Sequence, residues 1–309
     1  MNSDCILCGA KPELVLKDLT DLEYGCTGSF SFKRCPNCGL LMLFPAPTIG
    51  ELKTYYPDSY HCYHTQERGI ISILSGIIYQ LRFREYVSLV GKQARILEIG
   101  CADMPYLDSI KIKYPDLKIT GVEFKEEVAE SGRGKGRNII TGTIFDLKQN
   151  ESYDLIIMNN LIEHVIDPVR EVERAYVLLR PGGYLLIETP NLKSWDYAIF
   201  KKYWGSLHVP RHTYLFSPDS INLLAEKTKF EVVKVKYLLS TDNWSLSIQN
   251  FLQKNKKLRC KINNGRVWYY KFLLFIFIPF CLIQRLFKGT GAFEITLKKK
   301  ESKLPPAGN

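Results

Sequence analysis

The sequence predicts an α/β fold, a mostly parallel sheet with helices on both faces, and three observations carry it. Residues 95–107, RILEIGCADMPYL, run from an apolar strand (Ile96, Leu97, Ile99) through an acid and a glycine into a turn and a helix. Residues 117–122 read as a second buried strand, ending in Glu123. Residues 153–158 form a third apolar run, which passes through Asn159 toward a helix at 168–179 and a strand at 184–188. Strands alternating with helices of this length call for parallel neighbours. Sheets of this kind bind nucleoside-containing ligands across the carboxyl ends of their strands.

Ahead of the sheet, residues 1–45 hold two Cys-x-x-Cys pairs, Cys5/Cys8 and Cys35/Cys38, each trailed by a glycine, Gly9 and Gly39. Four thiolates close a tetrahedral zinc site, so a structural Zn2+ in a small zinc-ribbon-like module is expected there. Its hairpin would contain Phe30, Phe32 and Cys26. So short a segment buries little apolar surface, and the metal would supply its folding energy. The alternative is a pair of disulfides, which suits a secreted protein. Met1-Asn2-Ser3-Asp4 opens polar and acidic, unlike an export signal, and nine cysteines suit a reducing cytosol. Residues 46–92 link the module to the core. Within them Ile77, Ile78, Leu81 and Val87 recur at helical intervals, predicting a helix that packs on the sheet or forms a lipid- or substrate-facing lid.

Residues 93–240 form the expected core. Ile139-Ile140 begin a strand whose end falls near Asp146. Arg180-Pro181-Gly182-Gly183 stops the helix of residues 168–179. Ser217 followed by Pro218 caps a helix at 219–229, and residues 230–235 form the next strand. A terminal strand at 292–298 closes the sheet.

The pieces EIGCADMPYL, GVEF, GTIFDL, YDLIIMNNLIEHVIDP and LLRPGGYLLIETPN, in this order, resemble the class I S-adenosylmethionine-dependent methyltransferases. The resemblance covers roughly residues 90–240 and implies a Rossmann-like sheet whose last strand is antiparallel. It also implies S-adenosylmethionine as cofactor. Glu98 and Gly100, continued by Cys101 and Ala102, match the loop around the methionine half; Glu123, with Phe124 beside it, matches the ribose-binding acid. Asp146 matches the group reading the adenine amino edge, and Asn159 the position after the fourth strand. The family prefers glycine where this chain has Ala102 and Met104, so either the loop takes another path or the cofactor is held less tightly.

The run Tyr203-Trp204-Gly205 through His208, Arg211-His212, Tyr214 and Ser217-Pro218 also resembles bacterial methyltransferases of cell-surface glycan and natural-product biosynthesis, which often carry N-terminal zinc knuckles. O-methylation of a sugar or lipid-linked glycan intermediate is therefore expected, with C- or N-methylation as variants. Transfer to a hydroxyl is helped by a general base, and His212, His208 and His164 are the candidates, His212 foremost. Arg211 suits a substrate phosphate or carboxylate, and Tyr214 and Trp204 suit a sugar face. The same residues also have bland readings: His212 bonded to its own loop, Glu163-His164 bracing a helix, Tyr214 and Trp204 filling the core.

The net charge of +10 is unevenly placed: from Lys227 onward there are 17 Lys and Arg against 4 Asp and Glu. Residues 241–290 combine a basic cluster (Lys254, Lys256, Lys257, Arg259, Lys261) with the most apolar stretch of the chain, residues 268–285. Its charge-free interior, Phe272 to Gln284, is too short to span a bilayer, for which roughly 20 residues are needed, and Pro279 interrupts it. A helix lying on an anionic membrane, a buried helix, and cover for a dimer partner are the three readings, the first favoured by the lysines. That places the protein in the cytoplasm, peripheral to the inner face of the membrane. Residues 301–309 read as a disordered tail. Nucleic acid is disfavoured, because the cysteine module is not basic and Asn159-Asn160-Leu161 lacks the Pro-Pro-aromatic signature of many base-amino methyltransferases. An RNA methyltransferase and a noncatalytic membrane scaffold are the competing classes.

Overall fold

The computed structural model describes residues 4–57, 60, 70–255 and 265–300, with the backbone alone at 70–75. In chain order the strands and helices are β1 (Glu13–Leu19), β2 (Phe30–Arg34), β3 (Leu41–Phe44), α1 (Ile49–Thr54), α2 (Ile70–Val90), β4 (Arg95–Ile99), α3 (Leu107–Lys113), β5 (Lys118–Glu123) and α4 (Glu126–Arg133). There follow β6 (Ile139–Thr141), β7 (Tyr153–Asn159), α5 (Pro168–Leu178), β8 (Leu179–Pro190), α6 (Trp195–Phe200), β9 (Tyr214–Leu215), α7 (Pro218–Lys227), β10 (Phe230–Leu238), α8 (Thr241–Lys254), α9 (Tyr270–Ile276), α10 (Ile278–Leu286) and β11 (Ala292–Lys299).

Seven strands make the central sheet in the order β10-β11-β8-β7-β4-β5-β6. Those from β8 to β6 are parallel to one another, and β11 runs antiparallel to both β8 and β10. This is the predicted Rossmann-like methyltransferase sheet, last strand included. Alternation of side chains along each strand divides the core into two layers. Leu97, Ile99, Ile156, Met158 and Ile187 pack against α5 and α7 on one face, while Ile96, Ile119, Leu155 and Ile157 pack against α2 and α3 on the other. Asp167 accepts from the Arg170 backbone to cap α5, and Ser217 with Ser220 forms a capping box on α7.

The cysteine module departs from its predicted boundary. Its strands form a second sheet, β1-β2-β3-β9, and β9 comes from residues 214–215 of the core. Phe30, Phe32, Leu41 and Leu43 bury themselves with Trp204, Leu207, Val209 and Leu215 in a third core. Residues 1–45 are therefore not a self-contained unit: the segment that carries the histidines completes their sheet.

Helix α2 packs on the sheet through Phe83, Tyr86 and Val87, whereas Ile77, Ile78 and Leu81 face outward. The apolar stretch after α8 is two helices, α9 and α10, with Pro279 in the first turn of α10 where its missing N–H has no helical partner to lose. Among the described residues no helix is long and apolar enough to cross a membrane. Lys256, Lys257, Arg259 and Lys261 and the tail of residues 301–309 lie outside the described residues.

Candidate active site

The carboxyl ends of β4, β5 and β7 open into a cleft of about 700 Å³. Gly100, Ala102, Glu123, Phe124, Phe145 and Asn159 line one part of it, and Tyr56, Glu163, His164, His208 and His212 line another.

On the first side, the loop after β4 turns sharply. Gly100 (φ +68°), Ala102 (φ +47°) and Met104 (φ +55°) all take the left-handed conformation that glycine favours. The loop thus keeps the backbone conformation a glycine-rich loop would have, at roughly 1–2 kcal/mol for each side-chain-bearing residue. Cys101 and Met104 are buried beneath it, over Gly121, where an added Cβ would lie 2.4 Å from the Cys101 Sγ and 2.9 Å from the Met104 Sδ. The Cys101 side chain, expected at the cofactor, therefore belongs to the core. Met104 acts as packing and does not project into the cleft.

Glu123, 4% exposed, accepts from the backbone N–H groups of Ala102 (3.1 Å) and Lys125 (3.0 Å). A carboxylate has about four acceptor sites, so Glu123 keeps capacity for a diol at the cleft. Burial, only partly offset by those N–H groups, raises its pKa. Glu98 lies deeper, taking hydrogen bonds from Asn159 Nδ2 (3.3 Å) and the Tyr79 hydroxyl (3.3 Å). Burial pushes its carboxyl up to about 7 despite those bonds. Arg82 of α2 joins this group, reaching Glu188 (2.5 Å), Glu294 (3.0 Å) and Asn159 (3.4 Å). Asp146 departs from expectation: its carboxylate accepts from the Thr143 N–H (2.7 Å) and hydroxyl (2.9 Å), capping the short turn 144–146. Phe145, not Asp146, faces the cleft.

The other side holds the three predicted histidines together. The ring of His212 lies 4.5 Å from that of His164 and 4.8 Å from that of His208, centroid to centroid. His212 Nδ1 is 2.8 Å from the Ser206 carbonyl, which can only accept, so Nδ1 carries the proton and Nε2 keeps the lone pair. Burial and then the neighbouring His164 push the His212 pKa well below its ordinary value. His164 Nδ1 is 2.8 Å from the Tyr56 hydroxyl and 3.2 Å from the Arg211 carbonyl, and burial lowers its pKa to about 3. Both rings are neutral at working pH. His208, in the left-handed conformation, is 2.8 Å from Glu23.

Glu163 is fully buried beside them. One oxygen accepts from Thr189 Oγ1 (2.9 Å), the other has no hydrogen-bond partner among the described residues, and burial raises the carboxyl to about 8. Ligand-type atoms of Glu163, His164 and His212 all lie within 4.8 Å of one another.

The three residues expected to bind substrate do something else. Arg211 is 0% exposed and forms a two-pronged pair with Asp21, at 2.8 and 3.2 Å. Trp204, equally buried, donates its indole N–H to Asp196 at 2.6 Å. Tyr214 sits in β9 and donates to the Ile166 carbonyl at 3.2 Å. Desolvation explains Arg211 and Trp204: a buried guanidinium or indole N–H needs its own acceptor, and each has found one within the fold. Tyr56, Glu163 and Glu23 were not among the predicted site residues. The aromatic crowding of residues 55–64 was the signal for Tyr56; nothing local pointed to Glu23.

At the N-terminal end the sulfurs of Cys5, Cys8, Cys35 and Cys38 all lie within 4.8 Å of one another. Cys5 and Cys38 are 3.5 Å apart and Cys8 and Cys35 3.3 Å apart, so no disulfide joins them. The two knuckles match: Gly9 N–H bonds the Cys5 carbonyl at 2.8 Å and Gly39 N–H the Cys35 carbonyl at 3.0 Å, each glycine at φ +74°. Four thiols converging around one point fit a tetrahedral zinc ion.

A fold of this kind, with an acid at the tip of the second core strand and a turned loop after the first, is the Rossmann-like methyltransferase fold. A family described as a methyltransferase domain matches residues 79–235, just over half of the chain, and the chain belongs to it. It is 27% identical over 139 residues to a ubiquinone biosynthesis O-methyltransferase from Paraburkholderia phymatum, covering 42% of this chain and 58% of that protein. It is 26% identical over 192 residues to the one from Bordetella bronchiseptica, covering 55% and 77%. The chain thus spans a little under three-fifths of the first of these relatives. Among solved structures it superposes with a TM-score of 0.50 on a proposed sarcosine dimethylglycine methyltransferase from Galdieria sulphuraria, at 12% identity, over 74% of this chain and 86% of that one. The chain is accordingly a member of a methyltransferase-domain family.

Proposed function

We propose that the chain transfers the methyl group to a hydroxyl oxygen of a ring-bearing acceptor, a sugar or a phenol, with His212 as general base. The observation that carries this is the His212 ring, whose Nδ1–H is committed to the Ser206 carbonyl, so that Nε2 is left with a lone pair.

S-adenosylmethionine, when bound, supplies a methyl group already activated on a sulfonium. The residues present suit it: Glu123 has acceptor capacity for the ribose hydroxyls, Gly100 lets the backbone approach, and Phe124 and Phe145 line the cleft with apolar surface for the base. The protein's own task is alignment and proton removal. His212 Nε2 takes the acceptor's hydroxyl proton, and Tyr56, held at 2.8 Å from His164, packs edge-on against Phe124 with ring centroids 5.7 Å apart. An oxygen acceptor also agrees with the relatives, which are named O-methyltransferases. The run from Trp204 to Pro218 favours a glycan-type ring, and the relatives' names favour a phenolic one. Cys5, Cys8, Cys35 and Cys38 would hold a structural zinc, adding to the core that the module shares with residues 204–215.

The test is single-turnover methylation of catechol-type and sugar acceptors, together with cofactor titration. His212→Gln should leave S-adenosylmethionine affinity intact and slow transfer by ~10²–10⁴-fold. An unchanged transfer rate would remove His212 from the mechanism.

A further inference from the structure

We infer that the outward face of the α9–α10 hairpin docks on an anionic lipid surface. The hairpin is firmly seated from within: Trp244 stacks on Phe277 at 5.4 Å, meets Phe280 edge-on at 4.9 Å, and donates to Gln284 at 3.0 Å. Its inner side is therefore already occupied. The outer side nonetheless exposes Trp268 (83%), Phe272 (66%), Phe275 (54%), Leu286 (81%) and Phe287 (68%). Large apolar side chains gathered so densely on a surface mark an interaction site.

Charge selects the occupant. Residues 243–293 contain nine Lys and Arg and no Asp or Glu. Of these, Lys254, Lys271, Arg285 and Lys288 are described and exposed. Cationic side chains flanking an apolar face fit phospholipid headgroups above acyl chains, with Trp268 at the depth where its ring is both wetted and buried. A second copy of this chain suits the face poorly, because a two-fold contact would set two segments with nine Lys and Arg each, and no acid, against each other. The same segment borders the cleft: Leu239, Ser240 and Asn243, at the start of α8, and Arg266, just before α9, line it. Docking would bring the cleft beside the lipid, where an amphiphilic acceptor resides.

The experiment is co-sedimentation of the full chain with vesicles of phosphatidylcholine alone and of phosphatidylcholine mixed with phosphatidylglycerol. Pelleting with the mixed vesicles only, relieved by salt, is expected. The triple variant Phe272→Ser, Phe275→Ser, Leu286→Ser should lose at least ~tenfold in vesicle affinity. Because these side chains are exposed, its melting temperature, cofactor affinity and transfer to a water-soluble acceptor should stay at wild-type values, which separates this inference from the assignment of the base. Wild-type protein remaining in the supernatant, equal binding to neutral vesicles, or a triple variant that pellets undiminished would each overturn it. So would a wild-type dimer that the triple variant dissociates without any vesicle binding.

Discussion

Arg211 and Asp21 meet as a fully buried, two-pronged ion pair, with Nη1 2.8 Å from Oδ2 and Nη2 3.2 Å from Oδ1. It joins the cysteine module to the residue next to His212, so the module braces the wall of the cleft. Glu23, two residues on, pairs with His208 (2.8 Å) and Arg266 (2.9 Å) from the same module.

Removing one partner strands a buried charge. Asp21→Ala should destabilise the protein by about 3–5 kcal/mol, read as a shift in urea midpoint. Burial would raise the Asp21 pKa, but the hydrogen bonds and charge of Arg211 outweigh it and the net shift is downward. A depressed folded value means the contribution is complete above the unfolded value of about 4 and disappears as pH falls through the folded one. Asp21→Asn should therefore flatten the acid limb of the stability profile.

Glu98 titrates in the other direction, its carboxyl raised to about 7 by burial. A cationic cofactor favours the ionised form, so affinity for S-adenosylmethionine should rise with pH through about 7 and binding should release a proton near pH 6. Calorimetry in buffers of different ionisation enthalpy measures that release. Glu98→Gln should reduce it.

Glu123→Gln retains the shape but loses the charge that suits ribose hydroxyls. Loss of a charged hydrogen-bonding partner is worth about 1.5–3 kcal/mol, roughly a ten- to hundredfold rise in cofactor Kd, and the amide nitrogen, unable to accept from the Ala102 or Lys125 N–H, should lower the melting temperature as well.

The two left-handed residues of the cofactor loop should respond oppositely to glycine. Ala102→Gly relieves a strained φ and should raise stability by up to about 1 kcal/mol, the gain being limited by greater freedom in the unfolded chain. Met104→Gly relieves similar strain but empties a buried site and should cost about 2–5 kcal/mol. Thermal unfolding distinguishes them.

A chelator should disturb more than the module. With β9 as fourth strand of that sheet and Arg211 pinned by Asp21, zinc loss should lower the rate of transfer more than it weakens cofactor binding. Metal analysis should find about one zinc per chain before treatment.

Much of the architecture was legible in the linear chain because its causes are local. Apolar runs of strand length and the Ser217-Pro218 cap each act within a few neighbours, and Glu123 falls at a strand tip by counting alone, whereas Arg180–Gly183, expected as a turn, lie within β8. The two Cys-x-x-Cys knuckles announced themselves in the same way. The histidines were also recognisable as a set, and the fold brings His164, His208 and His212 into ring contact. What each polar side chain does was decided elsewhere. Whether Arg211 faces a substrate or Asp21, whether Trp204 offers a ring or donates to Asp196, and whether Asp146 reads a base or caps a turn depend on partners supplied by distant segments. Desolvation makes those partnerships compulsory, and only the folded chain determines which acceptor lies within reach.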